Sequence, residues 1–197
     1  MVYKEVGDHV RSWRFIILIL LMVLTCMGSL YTAIQNMAQN VKPGDPTSPF
    51  FFLKLFTVSD GSLPPLHVFI SFLGPLLGIG LGFDAINSEQ NGRTLSRIMA
   101  QPVHRDYLIN AKFVAAMIVI SLMLFALYMV VIGAGILTIG IPPTFGDFAR
   151  VLCFLVLSIV YVAFWLNLSI LFSVRFRQAA TSARTCIAVW LFFSVFY

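Results

Sequence analysis

Charge is what this 197-residue sequence has little of: Asp, Glu, Lys and Arg make up 11% of it, against 59% hydrophobic residues. With a mean hydropathy of +0.93, that balance excludes a soluble globular domain with a polar surface. Cysteine is also scarce. Cys26, Cys153 and Cys186 all fall inside apolar stretches, so they read as small packing residues and not as a disulfide framework. His9, His67 and His104 are scattered along the sequence, which argues against a shared metal site. No Gly-x-x-x-x-Gly-Lys-[Ser/Thr] run occurs, so the chain has no phosphate-cradling loop of its own. His-Glu-x-x-His and a Ser-His-Asp constellation are missing as well, and the expectation is a non-catalytic chain without metal or cofactor.

Long apolar runs are what is there. A hydrocarbon core about 30 Å thick takes roughly 20 apolar residues per helix. Four stretches qualify: Phe15 to Ile34, Val68 to Ile86, about Phe113 to Ile139 and about Phe148 to Val174. The first is too long for a cleavable signal and leads into no soluble domain. A fifth begins near Thr185 and reaches Tyr197 after about 13 residues, roughly 20 Å of helix and too short to cross. The fold class is therefore an all-α polytopic helical bundle of at least five spans. It reads as one membrane domain over residues 1–197, with a chain expected to continue past Tyr197.

Lys and Arg set the orientation. With the N-terminus inside, Lys4, Arg11, Arg14, Arg93, Arg97, Arg105, Lys112, Arg175, Arg177 and Arg184 are cytoplasmic, while Lys42, Lys54 and Arg150 are outside. That bias accounts for the net charge of +5 as topology and not as a nucleic-acid footprint. The expected location is the inner, cytoplasmic membrane.

Between these runs the sequence carries local signals. Residues 1–14 place Val2, Val6, Val10 and Trp13 at helical spacing, as in a helix lying in the membrane interface. Residues 36–66 open with turn chemistry, and the following "FFFLKLF" is too short to span, so it lies against the outer leaflet or packs on the spans. The second span carries Gly74, Gly78 and Gly82 four residues apart, a face that another helix can approach closely, with Pro75 expected to kink it. Asp84 is expected to hold the connector backbone, and Asn167 to make an interhelical hydrogen bond.

The connector after the second span is the most heavily charged segment. Within residues 87–111, "NGRTLSRIMAQP" reads as a short helix capped by Asn91 and ended by Pro102. Leu95, Ile98, Met99 and Pro102 line one side, and Arg93 and Arg97 another. Glu89 stands four before Arg93, the favourable order for an ion pair. Such a helix fits anionic lipid or a groove on a cytoplasmic protein, and periodicity alone does not choose.

The run "SEQNGRTLSRIMAQPVHRDYLINAK" resembles the connector of type-2 ATP-binding-cassette permeases, largely exporters. Glu89, Gly92, Thr94, Leu95, Pro102, Val103, Arg105 and Lys112 match its pattern, with Ala111 where glycine is usual. The Asp84-Ala85-Ile86 run and the Trp-Leu-Phe-rich fifth span resemble the subgroup that includes the permease for maturing the copper site of nitrous-oxide reductase.

The resemblance implies six spans, an N-terminal elbow helix and a coupling helix that docks on an ATPase subunit. The coupling contact would use Glu89, Gly92, Arg93, Thr94, Leu95, Arg97, Ile98, Met99, Pro102 and Arg105, with a second contact at Arg175 and Arg177. ATP and Mg would belong to the ATPase. Other implied partners are a second permease copy or homologue, the lipid membrane and an accessory extracytoplasmic protein, with no nucleic acid. The rival reading is an ATP-independent secondary transporter or channel, for which the spans offer little beyond Asn167 and the Gly/Pro break around Pro75.

Overall fold

In the computed structural model, the described residues are 2–40, 51–59, 61–91, 105–139 and 144–196. They form eight helices: α1 Val2–Arg11, α2 Trp13–Asn40, α3 Phe51–Thr57, α4 Leu66–Gly82, α5 Asn87–Asn91, α6 Arg105–Ile139, α7 Phe145–Arg175 and α8 Ala179–Phe196. Five of them, α2, α4, α6, α7 and α8, are long and apolar enough to cross a membrane. The chain is a polytopic helical membrane protein.

The helices outrun the apolar stretches that announce them. α6 begins at Arg105, eight residues before Phe113, because a helix need not stop where its side chains leave the hydrocarbon. α8 begins at Ala179 and has 18 residues, so the fifth helix is long enough to count among the spans. Arg184 accordingly lies on a helix and not in a connector, and α7 continues through Arg175.

The described residues cluster into two compact units. One comprises residues 19–73 and 122–159. Here α3 packs on the spans: Phe56 is fully buried, with its ring 4.9 Å from Tyr128 and 5.7 Å from Phe154. The Tyr128 and Ser158 hydroxyls hydrogen bond at 2.8 Å, and the Ser158 hydroxyl also donates to the Phe154 carbonyl. An aromatic pair in this geometry adds about 0.5–1.5 kcal/mol beyond its buried area. Cys26 is buried in this unit, whereas Cys153 is exposed and so is not a packing residue within the chain.

The other unit comprises residues 1–18, 74–121 and 160–197. Its centre is the glycine face of α4 against α7. A Cβ on Gly78 would stand 2.9 Å from the Leu166 nitrogen and 2.9 Å from the Val162 oxygen, both backbone atoms. A Cβ on Gly82 would meet Ser169 at 2.9 Å, and one on Gly74 would meet Val162 at 3.0 Å. Three glycines at helical repeat thus let two backbones touch within one chain, where packing and not water drives association. The Ser169 hydroxyl adds a 3.2 Å hydrogen bond to the Ile79 carbonyl. α8 closes the group, with Cys186 and Trp190 buried against Ile79 and Trp165. α4 runs unbroken through Pro75.

Candidate functional site

The site is the polar end of this second unit, where α1, the α4–α5 turn, the start of α6 and the end of α7 meet. α1 stops at Arg11 because Ser12 starts the next helix: its hydroxyl accepts from the Phe15 N–H at 3.3 Å and donates to the His9 carbonyl at 2.9 Å. Val2 and Val6 are half-buried and Val10 and Trp13 exposed, while Glu5 and His9 line the cavity at this polar end of the unit. The Glu5 carboxylate links this helix to α6 by an ion pair.

Lys112 is the anchor. Its side chain is 7% exposed and reaches Glu5 of α1 at 2.9 Å and Glu89 of α5 at 3.3 Å. An ammonium so far out of water is tolerated because two carboxylates accept hydrogen bonds from it and balance its charge. Glu89 thus meets α6, and Arg93, the partner expected from sequence, lies outside the described residues. Arg14 makes a second pair with Asp84, and its guanidinium lies 5.0 Å from the Phe83 ring centre. Asp84 thereby holds α2 to the turn after α4. These groups and Asp8 border a cavity of about 390 Å³. His9 lines it too, and burial pushes its imidazole below the ordinary value of 6.5, helped by Lys112 and opposed by Glu5, Asp84 and Asp8.

A third junction involves Asn87, the first residue of α5, which is fully buried. Its amide faces three main-chain carbonyls at the end of α7, so its nitrogen is the atom that must meet them. Its two N–H groups serve the carbonyls of Phe176 at 2.6 Å, Ser173 at 3.2 Å and Arg177 at 3.2 Å, one hydrogen being shared between two of them. The Ser173 hydroxyl reciprocates, accepting from the main-chain N–H of Ile86 at 3.0 Å and of Asn87 at 3.4 Å. Each partner satisfies groups that a helix terminus leaves open.

Of the coupling residues expected from sequence, Glu89 is placed in this cluster. Gly92, Arg93, Thr94, Leu95, Arg97, Ile98, Met99 and Pro102 lie outside the described residues, as does the side chain of Arg105, whose main chain opens α6. A short helix, α5, covers Asn87–Asn91, and the helix expected from Asn91 to Pro102 lies outside the described residues beyond Asn91. Arg175 and Arg177 are exposed beside the Asn87 contact. Asn167 is exposed and has no hydrogen-bond partner among the described residues, contrary to the interhelical bond expected.

Sequence reading missed Asn87, Ser173, Glu5 and Arg14. Lone polar residues bounding apolar runs were the available signal.

Comparison with curated proteins gave no match. The family model described as ABC-2 family transporter protein matches residues 1–197, the whole length. By that match the chain belongs to the ABC-2 transporter family and is a membrane permease subunit of an ABC transporter.

Proposed function

We propose that this permease passes ATP-dependent movement of a partner ATPase subunit, received on the connector between α4 and α6, to a substrate pathway at a subunit interface, in the export direction. The observation that carries the reading is the charged junction itself. Lys112 ties the connector's Glu89 to α1 and to α6, so a push on the connector reaches two further helices through ion pairs of low exposure. ATP and Mg are assigned to the ATPase, and this chain performs no covalent step.

In this reading Leu95, Ile98 and Met99 fill an apolar groove on the ATPase while Arg93 and Arg97 set the register, and Arg175 and Arg177 provide the second contact. Asn167, on the exposed face of α7 and without a hydrogen-bond partner among the described residues, supports a second permease subunit against that face, because a bare amide is costly against lipid. The Asp84-Ala85-Ile86 run supports placement beside the copper-site maturation permeases, in the inner membrane.

The test is the Leu95→Asp, Ile98→Asp double variant, purified in lipid nanodiscs with the ATPase subunit. Insertion should be normal, while co-purification of the ATPase and permease-dependent ATP hydrolysis are lost. Retention of both would refute the docking reading.

A further inference from the structure

We propose that Asn87 and Ser173 form a latch that makes the head of the connector and the end of α7 one rigid body, so the two cytoplasmic contacts move as a unit. The inference rests on the docking reading above for what pushes the latch, but the latch stands on its own geometry.

Two segments 86 residues apart exchange caps here. At the start of α5 the Ser88 N–H reaches the Asp84 carbonyl one turn earlier, while the N–H groups of Ile86 and Asn87 find their acceptor in Ser173, inside α7. The carbonyls that close α7 have no following turn to donate to them, and Asn87 supplies the donors. Both side chains are fully buried, so water does not substitute when either is removed. The contact is thus all-or-none: separating the segments by the length of one hydrogen bond strands donors on one side and acceptors on the other. α4 and α7 are already in backbone contact at Gly78 and Gly82, so the latch extends a stiff interface into the connector.

Arg177 contributes one of the carbonyls that Asn87 holds, Arg175 lies between the other two in sequence, and Glu89 lies two residues after Asn87. A displacement delivered to either contact is therefore delivered to both. Asn87 is a positioning residue and touches no substrate.

The experiment uses spin labels at Ser88→Cys and Gln178→Cys, both exposed positions, with the exposed Cys153 changed to Ser. Dipolar broadening is recorded for the permease alone and for the transporter with its ATPase, nucleotide-free and trapped with ATP. The latch predicts strong broadening that is the same in all three states. Asn87→Ala and Ser173→Ala each abolish it, and the double variant adds nothing further. In the transporter both variants keep the ATPase bound and lose its permease-dependent stimulation, a split that a general loss of structure would not give. Should Asn87→Ala fail to fold, Ser173→Ala carries the test, because the three carbonyls held by Asn87 are main-chain groups. Broadening that survives both substitutions, or that changes on nucleotide trapping, overturns the inference. Failure of the unaltered permease to bind an ATPase would overturn the docking reading instead, and the spectra of the permease alone still decide the latch.

Discussion

Replacing Lys112 by Met keeps the length of the side chain and removes its charge, leaving Glu5 and Glu89 facing each other at 14% and 20% side-chain exposure. At an effective dielectric of about 20, contacts of this length are worth about 5 kcal/mol each in Coulomb terms, most of it offset by the cost of taking the ions out of water. The net loss on breaking a buried pair from one side is about 3–5 kcal/mol, and the residual hydration of the two carboxylates puts Lys112→Met at the lower end, about 3 kcal/mol. For a chain of this size that is a fall of about 6–12 °C in Tm. Glu5→Gln alone should cost about 1 kcal/mol, since Lys112 keeps Glu89. The discriminating variant combines Glu5→Gln, Lys112→Met and Glu89→Gln: it strands no charge and should recover most of the loss. The assay is thermal unfolding of detergent-solubilised protein, followed by tryptophan fluorescence and size-exclusion monodispersity. A Lys112→Met variant as stable as its parent, or a triple variant worse than Lys112→Met, would refute the reasoning.

Other outcomes follow from the same geometry. Gly78→Ala puts a methyl group against the α7 backbone and should cost about 1–3 kcal/mol by thermal unfolding, whereas Gly133→Ala, with open space at its Cβ, should be neutral or stabilise by up to about 1 kcal/mol. His9, with its folded-state pKa held below 6.5, contributes stability that is complete above pH 6.5 and is lost as pH falls through that value toward the folded pKa. Thermal scans should show a decline on acidification from pH 7 that is smaller in His9→Gln. Tyr128→Phe removes the hydrogen bond to Ser158, which keeps its bond to the Phe154 carbonyl, so the cost by the same assay should be about 1 kcal/mol.

The spans were legible because lipid demands apolar length, and a run such as Phe15 to Ile34 has no other use. The glycine row was legible because four-residue spacing defines one helix face. Helix ends were not. Arg105, Asp106 and Lys112 look like a loop by hydropathy, yet they belong to α6 because a helix persists wherever its backbone bonds are made. Ser182 looked like connector and is fully buried on α8. The junction was least legible of all. Lys112 meets Glu5 across 107 residues, and Asn87 meets Ser173 across 86, separations at which one sequence has no periodic signal. Local patterning found the charged connector, and tertiary contact decided which charges meet.

The central claim is that the segment between α4 and α6 is gripped by a separate motor subunit. Its most direct test is a photo-crosslinking amino acid in place of Leu95, activated in native membranes. The account predicts one adduct, with a nucleotide-binding subunit, that forms from residue 95 and is missing when the label replaces the exposed, mid-span Leu157 of α7. Adducts with lipid alone, or modification of residue 95 by a membrane-impermeant reagent added outside the cell, would contradict it.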